Sequence, residues 1–346
     1  MQTTLKMFSH CAAAAVVALG ALSVAPKAVQ AQTIVKFATV DCEGDLMNCP
    51  YYTYTEVFNQ VLTAGTNGRY ELQTFPNSQL GDLESLTEQT SRGIIQMTSG
   101  QNAGQLSSYY PSIQIVEMPY TFSSLETARE VMWGPFGKEL ADNVAEASGV
   151  RILSWLPSAF RNFSNSKQPI KSPADMAGLK IRVQPVPIHI KMIEALGASG
   201  TPIAWGELYN ALQTGVVDGQ ENAPYVVLLG HLEEVQKYYT LDGHLVNMPL
   251  ILINEEFYQG LAEEDRKVFD EAGRAASFAM LGVVTAKETQ DLKKIADAGI
   301  EIYKPTPEEF QQFVDVTREP VRAVLEENVD AQWFDKLEAA IKDASN

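Results

Sequence analysis

Two arginines, Arg161 and Arg182, are the side chains best suited to hold an anion in this sequence. Residues 179–181 form a short apolar-rich segment after Gly178, so Arg182 would leave a strand end just before Pro185. A guanidinium pairs with a carboxylate through two parallel hydrogen bonds and stays charged when it is partly buried. These residues favour an anion-binding role, with a structural salt bridge as the alternative for each arginine.

A polar segment, GVVDGQEN, follows a predicted helix at residues 205–213 and predicts a second group of strand-end side chains. Gly215 would end the helix, and a strand would begin at Val216 and run into Asn222. An asparagine both donates and accepts, which suits a carboxylate oxygen or a hydroxyl, although Asn222 could also cap the helix that follows. Trp205 opens the helix and could cover an apolar part of a ligand or lie in the core.

The sequence contains no recognisable catalytic motif. The histidines after the N-terminal segment are His189, His231 and His244, and none belongs to an HExxH motif or stands beside a serine or cysteine elbow. The chain also has no Walker-type phosphate loop and no strand followed by GxGxxG. We therefore expect a binding protein without a cofactor rather than an enzyme, with a secreted hydrolase that uses two distant carboxylates as the alternative.

Strand-like and helix-like segments alternate along the first half of the chain and indicate a mainly parallel sheet with helices on both faces. The predicted strands are residues 34–40, 70–75, 94–98, 113–118 and 151–155, and the predicted helices are residues 51–63, 83–91 and 125–145. A second alternation begins near Arg161 and indicates a second lobe. Residues 262–298 lack proline and predict one long helix. Ligands of such α/β folds bind at the carboxyl ends of the strands.

The first thirty-one residues are typical of a secretory signal peptide. Lys6 precedes an alanine-rich apolar run at residues 11–24, and Ala-Val-Gln-Ala ends at Ala31. The run is shorter than the ~20 residues of a spanning helix, so we expect cleavage after Ala31 and export, with a retained anchor as the alternative. In an exported chain, Cys42 and Cys49 are expected to form a disulfide.

The chain is strongly acidic, with a formal net charge of -17 at pH 7. Such a surface repels nucleic acid and anionic membranes over about a Debye length. No basic run with interleaved aromatic residues offsets this charge anywhere in the sequence. The composition therefore argues against a nucleic-acid partner.

Four segments carry a family resemblance. They read GLKIRV at residues 178–183, GELYNALQTGVVDGQEN at 206–222, FPNSQLG at 75–81 and EMPYTF at 117–122. They resemble the solute-binding proteins of TRAP (tripartite ATP-independent periplasmic) transporters, the DctP-like family. The resemblance implies a two-lobed periplasmic binding protein fold, with a ligand cleft between the lobes and a long helix spanning both. The implied first lobe is residues 32–158 with about 248–288, and the second is residues 159–247 with about 289–346.

The resemblance also implies a function. Members of this family capture a small organic acid anion in the periplasm and deliver it to the membrane permease subunits of the transporter. A carboxylate is the expected head group, and a sulfonate could use the same arginines. We expect a monomer, because a delivery protein must meet a permease. The ligand-binding subunit of a sensor is a further alternative.

The family's ligand contacts carry over residue by residue. Arg182 matches the arginine that anchors the ligand carboxylate, and Asn222 matches the asparagine of the DGQEN segment. Arg161 resembles the arginine of a GFR segment, although Ala159 replaces the usual glycine. Glu221 is expected near the ligand without a metal, because Asn222 rather than a second acid follows it. Further contacts are expected from Tyr52, Glu88, Gln101, Asn102, Trp205 and Tyr225.

Overall fold

The computed structural model describes residues 32–345, so the predicted signal peptide and its cleavage site lie outside the described residues. Within this range the chain forms two α/β lobes, as the sequence predicts, but each is built on one mixed sheet instead of a mainly parallel one. None of the helices in the described range is long and apolar enough to cross a membrane. Cys42 and Cys49 form the predicted disulfide, which closes the loop after the first strand.

The first lobe contains a five-stranded sheet and the helices that cover it. Its elements are β1 Thr33–Thr39, α1 Pro50–Gly65, β2 Tyr70–Phe75, α2 Leu83–Ser91, β3 Met97–Ser99, α3 Leu125–Trp133, α4 Pro135–Ser148, β4 Val150–Trp155, β10 Leu250–Asn254 and α8 Glu255–Gly260. The strand order is β2-β1-β3-β10-β4, with β10 antiparallel to both of its neighbours. Alternating burial along β1 puts Val35 and Phe37 in the core, where they pack with residues of α1.

The second lobe contains a six-stranded sheet of order β11-β9-β5-β8-β6-β7. Its elements are β5 Ala159–Asn165, β6 Lys180–Val183, α5 Pro187–Ala195, β7 Ser199–Pro202, α6 Leu208–Gln213, β8 Gly219–Asn222, α7 Pro224–Leu229, β9 Tyr238–Asn247 and β11 Glu301–Tyr303. Strands β6 and β8 are parallel neighbours, with Arg182 opposite Gln220. Because both strands end at the same edge of the sheet, Arg182 and Asn222 are brought to that edge together.

The chain crosses between the lobes twice along adjacent strands. Residues 156–158 join β4 to β5, and residues 248–249 join β9 to β10. The two connections are hydrogen-bonded to each other: the backbone N–H of Leu156 donates to the carbonyl of Pro249 at 3.0 Å. The backbone N–H of Ser158 donates to the carbonyl of Asn247 at 2.9 Å. The first lobe is therefore completed by β10, a strand that returns from the second.

The predicted long helix is confirmed as α9, Glu263–Asp297, which spans both lobes. Its first half packs against α1, and Phe269 and Met280 lie in the first-lobe core. Its last turns contribute Ile295 to the core of the second lobe. At 1.5 Å per residue a helix of 35 residues is about 50 Å long, enough to reach across two small lobes.

Two local predictions in the first lobe are wrong. Residues 113–118, predicted as a strand, belong to a 3-10 helix at Pro111–Glu117, whose apolar side chains are buried without joining a sheet. The helix predicted at 125–145 is divided into α3 and α4 at Gly134 and Pro135. Proline lacks the N–H of a continuous helix. Gly137 also packs so closely that a Cβ there would lie 2.0 Å from the carbonyl oxygen of Met132.

The C-terminal helices divide between the lobes. Helix α10, Pro307–Asn328, packs against α5, whereas α11, Gln332–Ala344, packs against α3 and α4 of the first lobe. Trp333 of α11 is buried beside Phe136, and its indole N–H donates to the hydroxyl of Tyr110 at 2.9 Å. The sequence grouped residues 289–346 with the second lobe. The structure places α11 with the first, because its apolar face is covered there.

Candidate functional site

A cavity of about 60 Å³ with both polar and apolar walls lies between the two lobes, where the parallel strands β1, β3, β6 and β8 end. From the first lobe and its returning connection it is lined by Val40, Asp41, Tyr51, Leu83, Gly100, Asn102 and Pro249. From the second lobe it is lined by Arg161, Arg182, Gln184, Trp205, Asn222, Tyr225, Val226, Leu229 and Asn247. Five residues expected at the ligand, Arg161, Arg182, Asn222, Asn102 and Tyr225, are therefore brought together, with Trp205 at the wall.

Arg182 is held at the cavity wall by one hydrogen bond. Its side chain is 2% exposed, and its Nε donates to the carbonyl of Ile203 at 2.8 Å. No acceptor within residues 32–345 takes a hydrogen bond from its two terminal nitrogens. Burial, with repulsion from Arg161, lowers the pKa of Arg182 to about 10, so the guanidinium is still charged at neutral pH. A buried cation with free donors is costly, and an anion in the cavity would relieve that cost.

Arg161 is already paired within the protein. Its Nε and Nη2 donate to the carboxylate of Glu221 at 2.6 and 2.7 Å, and Nη2 also donates to the carbonyl of Glu221. Nη1 donates to Oδ1 of Asn247 at 2.8 Å. The salt bridge considered for this residue is therefore present. Ligand contact stays a prediction for Arg161, because among the described partners only one N–H of Nη1 is left for the cavity. Arg161 thus brings charge to the site but few free donors.

Glu221 lies behind Arg161 and does not line the cavity. Burial opposes its ionisation, but the charge of Arg161 and hydrogen bonds from His244 and Arg161 outweigh that effect. They hold the pKa of Glu221 well below its usual range. The pairing follows from the antiparallel register of β5 and β8, in which Phe163 is opposite Glu221. Contact of Glu221 with a ligand stays a prediction, and its observed partners are protein groups.

His244 extends this buried network toward the first lobe. Its Nδ1 lies 2.8 Å from Oδ2 of Asp242, and its Nε2 lies 3.2 Å from Oε2 of Glu221. The hydroxyl of Tyr120, from the first lobe, donates to the same Asp242 carboxylate at 3.1 Å. Burial alone would lower the pKa of His244, but Asp242 and Glu221 overcome it and raise the pKa to about 9. The imidazole is therefore a buried cation between two carboxylates at neutral pH.

We expect this histidine to make folding stability depend on pH. Its folded-state pKa is above the unfolded value, so its contribution is complete below about pH 6.5 and is lost as pH rises through 9. Relative to His244→Gln, the parent protein should lose about 3 kcal/mol of unfolding free energy between pH 6 and 10. Denaturant unfolding at several pH values measures this difference. His231→Gln, at an exposed histidine, is the control, and parallel pH profiles for the parent and His244→Gln would contradict the assignment.

Amide side chains supply most of the remaining polar lining. Asn102 of the first lobe donates from Nδ2 to Oε1 of Gln184 in the second at 2.7 Å, so this pair bridges the cleft. Asn222 donates to Oε1 of Gln220 at 2.6 Å. The alternative role of Asn222 as a helix cap is not adopted, because the N-cap of α7 is Ala223. Asn222 therefore does not cap α7, and it lines the cavity.

The aromatic residues at the cavity combine packing with hydrogen bonding. The hydroxyl of Tyr225 accepts from Nδ2 of Asn247 at 2.8 Å, and burial raises the pKa of Tyr225 to about 12. Trp205 is half-buried: it lines the cavity and also packs against the second-lobe core. Packing of Trp205 against the core is therefore observed, and its cover of an apolar part of a ligand stays a prediction.

Three expected contacts lie away from the cavity. Glu88 is exposed on α2 and forms a salt bridge with Arg92 at 2.6 Å. Gln101 is buried, and its Nε2 donates to the carbonyl of Leu83, so the side chain packs behind the wall. Tyr52 is absent from the lining, and its neighbour Tyr51 takes that place. Successive helical residues point about 100° apart, and a pattern that is wrong by one residue selects the wrong face.

The sequence reasoning missed four polar lining residues: Asp41, Tyr51, Gln184 and Asn247. Gln184 follows directly after β6 and Asp41 lies two residues after β1, and a position just beyond a strand end is a signal that could have identified both. Asn247 ends β9, a strand that was not predicted. A group of metal-ligand type within residues 32–345, His231, Glu233 and Glu234, lies at the protein surface instead.

A fold of two lobes joined by paired connections, with a buried arginine facing a cavity between them, defines a two-lobed ligand-binding protein. The model of the family described as bacterial extracellular solute-binding protein, family 7 (DctP), matches residues 47–328, and the chain belongs to this family.

Relatives of known name support the same assignment. The C4-dicarboxylate-binding periplasmic protein DctP of Rhodobacter capsulatus is 30% identical over 288 residues, which cover 82% of this chain and 84% of the relative. A TRAP periplasmic solute-binding protein from Anaerococcus prevotii with bound D-glucuronate has a TM-score of 0.83 at 29% identity, covering 90% of this chain and 99% of that one. Another, from Polaromonas sp. JS666 and bound to D-erythronate, has a TM-score of 0.82 at 29% identity, covering 90% and 98%. The family expected from the sequence is confirmed.

Proposed function

We propose that this protein captures a small organic acid anion in the cleft and delivers it to the membrane permease of a TRAP transporter. The observation that carries the proposal is Arg182, a buried cation at the cavity wall whose only hydrogen bond within residues 32–345 is made by Nε. A ligand carboxylate would accept from both terminal nitrogens at once, in the geometry that a guanidinium favours. A sulfonate presents similar oxygens and belongs in the same test.

The ligands named for the relatives agree with this chemistry. D-glucuronate, D-erythronate and C4-dicarboxylates are all carboxylates, and each is named for a protein that matches most of this chain. Their carbon skeletons differ widely. We therefore propose a carboxylate for the ligand of this protein from its relatives. The carbon skeleton depends on the residues of this particular cavity.

Lobe closure would couple binding to delivery. The cavity has walls from both lobes, so a ligand inside it contacts both and favours the closed arrangement. We place the hinge at the connections 156–158 and 248–249, with the lobe boundaries beside them. The permease would recognise the surface that the closed lobes create. The protein would act as a monomer in the periplasm, after cleavage of the leader following Ala31, and would release its ligand chemically unchanged.

A ligand screen tests this function directly. Protein obtained by export of the full chain would be unfolded and refolded to remove bound ligand, then heated with a panel of carboxylates and sulfonates. A true ligand at a hundredfold excess over its dissociation constant stabilises the native state by ~2.7 kcal/mol and raises the melting temperature. Calorimetry should then give one ligand per chain, and the ligand should be recovered intact. A panel without any shift, or conversion of a ligand to product, would contradict the proposal.

A further inference from the structure

Asp41 is a buried carboxyl group at the ligand cavity that the sequence reasoning did not identify. It lies two residues after the end of β1, is 7% exposed and lines the cavity. Its carboxyl group accepts one long hydrogen bond, from Oγ1 of Thr39 at 3.4 Å, and it forms no salt bridge with a described residue. The carboxyl therefore has acceptor capacity directed to the cavity and little within the protein to fill it.

The groups around Asp41 do not neutralise it. The hydroxyls of Tyr51 and Tyr225 are close enough to feel its charge, and Arg161, a cation that also lines the cavity, is committed to Glu221. Burial therefore raises the pKa of Asp41 to about 7, against a small opposing effect of Thr39. A buried acceptor left without a donor costs free energy, so a ligand that fills this cavity well must bring a donor to it.

A hydroxyl group fits this cavity better than a second carboxylate or an ammonium. A second carboxylate would bring two further acceptors and, where Asp41 is ionised, a like charge. An ammonium only donates, whereas the lining beyond Asp41 contains the amides of Asn102, Gln184 and Asn222, each of which both donates and accepts. Ligand hydroxyls also do both, so several of them could be satisfied by these side chains at the same time.

We propose that Asp41 is a specificity residue that accepts a hydrogen bond from a hydroxyl of the ligand while Arg182 holds the ligand carboxylate. The ligand is then a hydroxylated carboxylic acid rather than a simple fatty acid or an unsubstituted dicarboxylate. This inference rests on the proposed function, because it takes the carboxylate at Arg182 as given. Asp41 then contacts the end of the ligand opposite the carboxylate. Because Asp41 belongs to the first lobe and Arg182 to the second, only a ligand that satisfies both residues favours closure.

The test compares acids that differ only in hydroxyl groups. Calorimetry on the refolded protein would use both enantiomers of glycerate, D-erythronate and D-gluconate, beside propionate, butyrate and hexanoate, with succinate and β-alanine added. We expect at least one hydroxy acid to bind ~10-fold or more tightly than its deoxy counterpart and than succinate, because a polar site rejects an analogue that leaves its groups unpaired. Equal or tighter binding of a deoxy acid or succinate would overturn the inference and leave the proposed function standing.

Substitutions at Asp41 then assign the preference to this residue. Asp41→Leu, close in size but without an acceptor, should reduce the hydroxyl preference to below ~3-fold while deoxy acids bind as before. Asp41→Asn keeps an accepting oxygen and should retain most of the preference. Asp343→Asn, at an exposed carboxylate of α11, is the control for both.

Three results would overturn the role of Asp41. The first is a hydroxyl preference that survives Asp41→Leu. The second is tightest binding of β-alanine with loss of binding in Asp41→Asn, which would identify an ammonium partner instead. The third is a panel on which no acid binds, which contradicts the proposed function and this inference with it. Melting of the unliganded variants, compared with the parent, separates a misfolded variant from a folded one that has lost selectivity.

Discussion

Arg182→Met is expected to abolish tight binding of organic acids while the protein remains folded. Methionine approaches arginine in length and keeps the packing of the strand end, but it provides neither charge nor donors. Losing one partner of a buried, hydrogen-bonded charge pair costs about 2–5 kcal/mol or more, so we expect a loss of affinity of at least ~30-fold. Calorimetric titration with the acid that binds the parent most tightly measures it.

The same substitution should have the opposite effect on the unliganded protein. Arg182 is 2% exposed, and its burial is reflected in a pKa lowered to about 10. Removing a buried charge that lacks a counter-ion relieves a desolvation cost, so the melting temperature without ligand should rise. A structural arginine would give the reverse, a fall in melting temperature with little change in affinity. A lower affinity with a higher melting temperature therefore indicates a ligand anchor, and an unchanged affinity with a lower melting temperature indicates a structural salt bridge.

Two further variants complete this test. Arg182→Lys keeps the charge but loses the planar pair of donors, and we expect an affinity between those of the parent and Arg182→Met. Arg318→Met, at an exposed arginine of α10, controls for a general effect of removing positive charge from an acidic protein. Affinity of Arg182→Met within threefold of the parent would remove Arg182 from the binding site.

The strand-end position of Arg182 could be predicted from sequence because it depends on local features, whereas its role as a ligand anchor was implied by the family resemblance and stays a prediction. A short apolar segment bounded by Gly178 and Pro185 fixes the strand, and the strand end fixes the side chain. The long helix α9 was predictable for the same reason, since its pattern is continuous over its whole length. Local signals thus predicted the strand-end position of Arg182 and the helix that links the lobes.

What could not be predicted depends on pairings between distant residues. The partner of Arg161 is Glu221, sixty positions further along the chain, and the two meet only because β5 and β8 are antiparallel neighbours. The docking of α11 onto the first lobe is likewise a tertiary event, and the return of β10 to that lobe was implied only by the family resemblance. Asp41 directly precedes Cys42, the first cysteine of the disulfide, and lies outside the loop that the disulfide closes. Its cavity role required knowledge of what faces it across the cleft.

The buried charges behind the cavity have a different role from Arg182. Arg161, Glu221, His244 and Asp242 form a continuous network in the second lobe, and Tyr120 of the first lobe joins it through its hydroxyl. Every member has a charged or hydrogen-bonded partner in the protein. The network therefore fixes the cavity wall in place before a ligand arrives, so that closure orders few additional side chains.

Glu221→Gln is expected to destabilise the folded protein severely. The variant leaves the guanidinium of Arg161 and the imidazolium of His244 buried without their shared counter-ion, because Glu221 is 0% exposed and contacts both. Breaking a buried ion pair by neutralising one partner costs about 3–5 kcal/mol, a large part of the stability of an ordinary domain. Urea unfolding at pH 7 measures the change in unfolding free energy.

The chain supplies its own matched control for this prediction, an exposed glutamate–arginine pair. Glu88 and Arg92 are bonded at 2.6 Å, the same distance as the buried pair, but their side chains are 53% and 68% exposed. Because solvent screens exposed pairs, Glu88→Gln should change stability by less than ~1 kcal/mol. Similar small losses of unfolding free energy in Glu88→Gln and Glu221→Gln would show that the buried network does not stabilise the fold.

The acid side of the stability profile gives an independent measure of Glu221. Its folded-state pKa is held below the ordinary value, so its contribution is present above pH 4.5 and is lost as pH falls toward the folded pKa. Glu221→Gln should therefore lose less stability than the parent on acidification.

Replacing the whole pair, with Arg161→Met and Glu221→Leu together, should reduce the unfolding free energy less than Glu221→Gln alone, because no buried guanidinium then lacks a partner. That ordering would establish that it is the isolated charge, rather than the lost glutamate, which destabilises the cavity wall.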